Sequence, residues 1–483
     1  MNRTYTAKTR PFTHQIEALR KSRERKSFAY FMEMGTGKSK TLIDDIGRAF
    51  CAGEIDCVII FANKGSYANW HDYEIPIHLP DDIPRAIYIW RGDNNARDRE
   101  FQEIICTHIP GVLRFVVMNI EAVGASDRGR EFAIRFTGSG RVCITVDEST
   151  LIKNHDAVRT KFLIKLGGTN TVIMKRILTG TPITKDPLDL WGQFLFLGKD
   201  LLGFNNFYSF RARYAILQEM RIGRRTIVKP VAFQNLDELE AKVLQYSFRV
   251  LKEDCLDLPE KIYTFRDVEM TEAQKKFYDD MKFRAVTDMG DINMTATTAM
   301  VKIGRLQQIL SGWITDDDTK MVITIPSNRV QAVIALVEES VESVIIWCAY
   351  RMDVKLVSER LREEYPDDIV SEYHGGIDGA DREIAVRKFQ NGESRFFVST
   401  AATGGRGITL TKAGLVIYYS NSFDLEMRLQ SEDRAHRIGQ TKKVQYVDLR
   451  VKNTVDAKIV AALRKKIDIA SSVMGDGLKE WLV

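Results

Sequence analysis

The chain of 483 residues has no apolar run approaching the roughly 20 residues of a membrane-spanning helix. Its first residues, Met1-Asn2-Arg3-Thr4-Tyr5-Thr6, hold no apolar segment of the kind that starts a secretory signal. The six cysteines (Cys51, Cys57, Cys106, Cys143, Cys255 and Cys348) form no C-x-x-C pair, and the seven histidines lack ligand spacing. Neither a disulfide framework nor a structural metal site is therefore expected. Cys57, Cys143 and Cys348 fall inside apolar runs, where a free thiol behaves as a small hydrophobe. A strong charge of one sign is missing as well: the net charge is +5, with Lys and Arg interspersed among Asp and Glu. Bulk electrostatics thus neither demands nor excludes nucleic acid. A cytoplasmic protein is the expectation, without signal peptide or transmembrane segment. With 44% hydrophobic and 28% charged residues the composition is that of a globular chain, and the length exceeds one compact core, so two or more domains are expected.

What is present is organised around Tyr30-Phe31-Met32-Glu33-Met34-Gly35-Thr36-Gly37-Lys38-Ser39-Lys40-Thr41. Ser27 to Met32 is apolar and aromatic, as in a short buried strand, while Thr41 to Phe50 repeats apolar residues at helical spacing. A strand, a glycine-bearing turn and a helix are the context of a phosphate-binding loop. Gly35 and Gly37 let the backbone N–H groups, Thr36 included, curl around a phosphate, and the helix N-terminus adds its dipole. Lys38 would reach the β- and γ-phosphates and Ser39 would ligate Mg²⁺. The general pattern G-x-x-x-x-G-K-[ST] is not fully met, because Met32 stands at the first glycine. Taken alone, the stretch also fits a glycine-rich turn with an incidental surface lysine.

Upstream, Arg10-Pro11-Phe12-Thr13-His14-Gln15 leads into a helical run and puts Gln15 where an adenine-reading amide could stand. Downstream, Asp56–Ala62, Arg85–Trp90, Arg114–Met118 and Arg141–Asp147 read as buried strands. The last of these ends in Asp147-Glu148, at the carboxyl end where an open α/β sheet holds its ligand crevice. Asp147 would hold Mg²⁺ and Glu148 would orient or deprotonate the attacking water. An acidic pair ending a strand serves equally as a helix N-cap; beside an upstream phosphate loop it becomes the second half of a nucleotide site. Lys175 to Leu178 is a further strand, stopped by Gly180-Thr181-Pro182. From Leu188 to about Met321 helical periodicity and aromatics dominate, with basic clusters at Arg211–Tyr214 and Arg221–Arg225 that fit a phosphate backbone or a solvated face equally well. Asp254 to Pro259 reads as a linker. Strand–helix alternation then resumes through Val344–Cys348, Ile369–Tyr373, Arg395–Ser399, Ala413–Ser420 and Val444–Leu449, which predicts a second α/β domain. Arg434 and Arg437 are three apart and are expected on one helical face, as a phosphoryl clamp or as partners of Glu432 and Asp433.

Taken in order, Glu33–Ser39, Asp147–Asn154, Leu178–Ile183, Ser399–Thr411 and Asp433–Gln440 resemble the motifs of the superfamily-two helicase-like motors, and within them the Swi/Snf-type DNA translocases. The resemblance extends over nearly the whole chain. It implies two RecA-like doubly wound parallel-sheet lobes with helical insertions between them: lobe 1 at 1–187, protrusions and linker at 188–325, lobe 2 at 326–450 and a C-terminal brace helix at 451–483. It implies ATP and Mg²⁺ as cofactors, with Gln15, Gly35, Thr36, Gly37, Lys38, Ser39 and Gly405 binding the nucleotide and Ser39 and Asp147 the metal. Lys38, Asp147, Glu148, Gln430 and the arginine fingers Arg434 and Arg437 make up the implied catalytic set. Loops at Lys64–Ser66, Asn119–Glu121, Arg351, His374–Gly375 and Thr400 would grip the sugar-phosphate backbone of duplex DNA without reading bases. Met32 and Ser149-Thr150 depart from the family pattern, and His14 leaves the adenine-contact register open. No chromatin-reading module is recognisable, a compactness similar to bacterial or phage relatives. The function implied is a DNA-stimulated ATPase stepping along duplex DNA, acting as a monomer, with replication, recombination or repair proteins as partners. A strand-separating DNA or RNA helicase and a nucleotide-gated recruitment protein stay open as alternatives.

Overall fold

The computed structural model describes residues 3–93, 95–222, 225–290, 296–316, 319–405, 407–474 and 476, with side chains except at 220–222, 225, 227, 284–290 and 296–300. Of the motifs named above, Gly223 and Arg224 of the basic cluster, Arg406 and the last residues of the expected brace lie outside what is described. Among the described residues, contacts divide the chain into two units, one within 3–217, 230–256 and 469–476, the other within 218–229 and 257–468.

In the first unit, β1 (Ser27–Met32), β2 (Cys57–Ala62), β3 (Arg85–Trp90), β4 (Leu113–Asn119), β5 (Val142–Asp147) and β6 (Val172–Leu178) form a parallel sheet. The chain then makes a two-stranded sheet, β7 (Ala215–Ile222) and β8 (Arg225–Phe233), the greater part of which falls in the second unit, before β9 (Ser247–Val250) returns to pair with β1. The sheet order is β3-β4-β2-β5-β6-β1-β9. Parallel strands connected by helices are covered on both faces, which is why these segments read as continuous apolar runs rather than alternating ones. Along β1, Ala29 and Phe31 enter the core on one face while Phe28, Tyr30 and Met32 enter the core on the other.

The second unit holds β10 (Lys261–Asp267), a short antiparallel pair β11 (Trp313–Thr315) and β12 (Val322–Thr324), then β13 (Ser343–Cys348), β14 (Val370–Tyr373), β15 (Phe396–Thr400), β16 (Ala413–Tyr418) and β17 (Val444–Arg450). Its main sheet is wholly parallel in the order β10-β17-β16-β13-β15-β14. Two RecA-like lobes are thus present, as expected.

The stretch 188–325 is not a single helical insertion. Helix Asp189–Leu197 is apolar around most of its surface, and a helix of that kind must be buried: Leu190, Trp191, Phe194, Phe196 and Leu197 join the first lobe's core with Phe210 and Tyr214. Strand β9 carries the first sheet well past residue 187, and β10 places the start of the second before residue 326. The unit boundary between Leu256 and Asp257 falls within the linker read at Asp254–Pro259. Helix Val455–Met474 follows β17; Ile459, Leu463 and Ile467 pack in the second lobe's core, while Val473 and Met474 are buried in that of the first.

Candidate nucleotide and nucleic-acid sites

In the first lobe, β5, β6 and β1 are neighbours, so their carboxyl ends lie within about two strand spacings, roughly 10 Å. The chain leaving β1 is the glycine turn, with Gly35 at φ 81° and Gly37 at φ 85°, both in the left-handed region that only glycine adopts at little cost. Helix Lys38–Cys51 starts directly after Gly37. The turn is braced from above by helix Thr13–Ser22: the Gln15 amide donates to the carbonyls of Thr36 (3.3 Å) and Gly37 (3.4 Å), and His14 Nε2 lies 2.8 Å from Thr36 O. Gln15 Oε1 accepts from Phe12 N at 3.0 Å. Gly180, in the turn after β6, packs so tightly that a Cβ there would stand 3.1 Å from Met34 N.

The end of β5 presents Asp147 and Glu148 to this turn. Glu148 has φ 51°, a strained backbone for a non-glycine residue, and strain of that kind concentrates at functional sites. Its amide donates to Asp147 Oδ1 (3.0 Å), and Thr179 Oγ1 at the end of β6 donates to Glu148 Oε2 (3.2 Å). Trp70 Nε1 donates to Asp147 Oδ2 at 2.9 Å. Burial pushes Asp147 up from the usual carboxylate range, against the opposing pull of the Trp70 hydrogen bond and the Lys38 charge. Burial likewise lowers Lys38, with Glu148, Asp147 and Glu33 acting in the other direction. Lys38 therefore feels the charge of both Asp147 and Glu148. Ser39 sits at the second position of the same helix.

A carboxylate and a hydroxyl are hard oxygen donors suited to Mg²⁺, which is commonly held by few protein ligands with water and substrate phosphates completing its shell. Among the described residues no cluster of three or more His, Cys, Asp or Glu side chains could cage a metal alone. The donor set thus fits a metal that arrives with a nucleotide.

The nucleic-acid candidates of this lobe occupy the next carboxyl ends along the sheet. Lys64 and Ser66 follow β2; Asn119 ends β4, its neighbour, and caps helix Ile120–Ala125 by accepting from Glu121 N at 3.1 Å. Lys64 is exposed.

In the second lobe, Arg351, His374, Gly375 and Thr400 follow or end β13, β14 and β15, which are adjacent. A Cβ on Gly375 would stand 3.2 Å from Arg351 Nη2 and 3.9 Å from Thr403 Oγ1, which in turn accepts from Thr400 Oγ1 at 3.0 Å. The four expected residues are therefore one patch. Gly405 closes the short helix Ala401–Gly404, where its amide donates to Ala401 O and a side chain would meet that carbonyl at 2.4 Å.

The arginine pair departs from the expected geometry. Helix Leu425–Ala435 ends before Arg437, because His436 at φ −108° and ψ 83° leaves the helical region. The two side chains do not share a helical face; they share a loop. Arg434, buried, donates to Ile408 O (3.0 Å), Gln430 O (3.0 Å) and Asp433 Oδ2 (3.1 Å), while Arg437, half-buried, donates to Thr409 Oγ1 (3.1 Å). Gln430 Nε2 donates to Glu426 at 3.1 Å. The alternative partner Glu432 is taken by Arg428, Lys261 and Tyr263.

Three residues with a part in these sites were not singled out from the sequence. Thr179 and Trp70 hold the acidic pair, and the sequence gives them only as a strand end and an aromatic in a helix. Arg249, on β9, donates to Phe31 O (3.2 Å) and Gly180 O (2.9 Å) and pairs with Asp476, which ties the end of β1 and the turn after β6 to the last strand of the sheet. No spacing rule points to it, because β9 joins the sheet only through the fold.

A glycine turn at a helix N-terminus beside an acidic strand end, followed by a second parallel-sheet lobe, defines the two-lobed RecA-like class. Within it, residues 19–314 match the family model of the SNF2-related domain and residues 328–439 that of the helicase conserved C-terminal domain. The chain belongs to the SNF2-related, helicase-like family. It is 27% identical over 68% of its length to the TATA-binding protein-associated factor MOT1 of Saccharomyces cerevisiae, covering 20% of that protein. It is 26% identical over 68% of its length to an uncharacterized ATP-dependent helicase of Mycoplasma genitalium, covering 30% of it. The chain thus spans about a fifth to a third of these relatives. Among solved structures it is similar to the SWI2/SNF2 ATPase core of Sulfolobus solfataricus in complex with dsDNA, at 20% identity and a TM-score of 0.43, over 98% of this chain and 95% of that one.

Proposed function

We propose that the chain is an ATP-dependent DNA motor that couples hydrolysis to movement on duplex DNA without reading its bases. The observation that carries the reading is the meeting of Lys38, at the helix start after β1, with Asp147 and Glu148, at the end of β5 two strands away, beside backbone-contact candidates at the ends of β2 and β4 of the same sheet. Lys38 and the amides of Gly35 to Ser39 would bind the β- and γ-phosphates. Ser39 and Asp147 would hold Mg²⁺, which neutralises charge on the phosphates when bound. Glu148, fixed by Thr179, would orient and deprotonate the attacking water. Arg434 and Arg437 would stabilise charge on the phosphoryl group in transit, and the Gln15 amide, already spent on the turn's carbonyls, would set the turn's shape beside any contact with the base. Lys64, Ser66, Asn119, Arg351, His374, Gly375 and Thr400 would hold the sugar-phosphate backbone. Action as a monomer, and partners from replication, recombination or repair, belong to the same proposal; among the described residues no helix is long and apolar enough to cross a membrane.

The test is ATP turnover with and without duplex DNA, in the wild-type chain and in Glu148→Gln. Duplex should stimulate turnover, and the variant should lose on the order of 10²–10⁴ in rate while still binding ATP. Turnover indifferent to DNA, or a variant of wild-type rate, overturns the reading. Triplex displacement beside fork unwinding separates translocation from strand separation.

A further inference from the structure

The loop expected to touch DNA and the carboxylate expected to hold the metal are joined by a short, hydrogen-bonded path. Asn63 begins it: its side chain accepts from Gly65 N (2.9 Å) and its carbonyl accepts from Ser66 N (3.1 Å) and Tyr67 N (3.0 Å). Ser66 O then accepts from Asn69 N at 3.0 Å, and Trp70 follows directly. Residues Trp70–Glu74 form a π-helical turn, in which Ile75 N reaches back to Trp70 O. Such turns insert one extra residue into a helix and are frequent at functional sites. Here the turn points the indole at the end of β5.

The Trp70 ring is 2% exposed, packed with Leu42, Ile75 and Leu79. Its one polar atom ends on Asp147 Oδ2 at 2.9 Å. A buried indole N–H needs an acceptor, but many would serve. This one is a carboxylate whose other oxygen is already held by the Glu148 amide. The indole therefore fixes the rotation of the Asp147 carboxylate and marks which lone pairs stay open.

We propose that Trp70 is a positioning residue that couples the backbone-contact loop Asn63–Ser66 to Asp147, so that DNA held at the loop alters how Asp147 holds its metal. The proposal rests on the assignment of Asp147 given above. A shift of Lys64–Ser66 on binding a phosphate backbone is carried through three residues to the indole, and the carboxylate follows. The charged groups facing Asp147 are Lys38 from the phosphate turn, Glu148 beside it and Glu74 from the same π-turn as Trp70.

The full-length chain is tested with Trp70 replaced by β-(3-benzothienyl)alanine, which keeps the ring shape and lacks the N–H, and with Trp70→Phe as the simpler variant. Binding of Mn²⁺ with ADP is read directly from the electron paramagnetic resonance of free Mn²⁺, at one fixed pH and with or without a 20-base-pair duplex. Removing the donor frees the carboxylate to rotate, so at one fixed pH both variants should bind Mn²⁺ several-fold more weakly than the wild type. In the wild-type chain duplex should change the Mn²⁺ affinity several-fold, and in both variants that ratio should fall to within about twofold of one. A variant with the wild-type Mn²⁺ affinity and the wild-type DNA ratio overturns the proposal, as does a wild-type chain whose metal affinity ignores duplex. Asp147→Ala separates the two levels. If it binds Mn²⁺ with ADP like the wild type, the assignment of Asp147 is wrong and the coupling falls with it; if it loses the metal while the Trp70 variants behave as wild type, only the coupling is wrong.

Discussion

Gly37→Ala tests the phosphate turn at the point where its geometry is most constrained. Gly37 sits at φ 85° and ψ 37°, and an L-residue in that left-handed conformation costs about 1–2 kcal/mol. The added Cβ would also stand 2.1 Å from Gln15 Nε2, so the amide must move. Its bonds to Thr36 O and Gly37 O, at 3.3 and 3.4 Å, are long, and losing both costs about 1 kcal/mol together. The sum, about 2–3 kcal/mol, falls on the bound state, because an empty turn relaxes whereas one wrapped around a phosphate cannot. ATP affinity should drop by roughly 30- to 150-fold while the urea midpoint of unfolding hardly changes. The refuting measurement is a double-mutant cycle with Gln15→Ala, read by binding of a fluorescent ATP analogue. Truncating Gln15 removes the obstacle, so in that background Gly37→Ala should cost only the backbone term, and the two changes should couple by about 1 kcal/mol. Additivity within about 0.3 kcal/mol would show that the Gln15 side chain does not press on the turn in solution.

Arg437→Ala should keep ATP affinity within a few-fold and lose hydrolysis on the order of 10³-fold, measured by single-turnover phosphate release; unchanged turnover removes its role on the phosphoryl group. The fold should tolerate this change, since the half-buried side chain gives up a hydrogen bond to Thr409. Lys64→Ala and Arg351→Ala should each weaken duplex binding uniformly across sequences and lower the slope of log affinity against log salt by about one, as read by fluorescence anisotropy. A sequence-dependent loss would point to base contacts instead.

Both parallel sheets were legible in the sequence because their strands are buried on both faces and leave unbroken apolar runs, as in Val58–Phe61 and Val344–Trp347. The glycine turn and the acidic pair were legible as residues at strand ends, because a nucleotide site would need glycine, lysine and carboxylate there. The two-stranded sheet β7–β8 and the return of β9 were not, since helical periodicity and aromatics around them drew the reading toward a separate insertion. The aromatic run at Trp191–Leu197 proved to be lobe core, a case in which tertiary burial decides what local pattern leaves open. The arginine motif was found by its residues but misread in geometry: three residues apart means one face only while the helix lasts, and His436 ends it. Arg249 and Trp70 act through contacts distant in sequence, with Gly180 and with Asp147, and no local rule reaches that far.

The order of strands explains why a coupling residue should stand where Trp70 does. Along the first sheet the backbone-contact candidates end β4 and β2, and the nucleotide candidates end β5, β6 and β1. The border between the two groups is the single gap from β2 to β5, about 5 Å wide. Any signal between them within this lobe is shortest there, and the indole crosses that gap from the β2 side to the β5 carboxylate. The second lobe meets the same need along the chain rather than across the sheet. Thr400 ends β15 in the backbone-contact patch, and a few residues later Ile408 and Thr409 accept hydrogen bonds from Arg434 and Arg437. Under the proposed assignments one stretch of the second lobe would carry both duties along the chain, whereas the first lobe would depend on one hydrogen bond. It follows that removing the indole N–H should damp the DNA response without abolishing it in turnover assays, because the second lobe's route stays intact, while the direct metal-binding response, which belongs to the first lobe alone, should vanish.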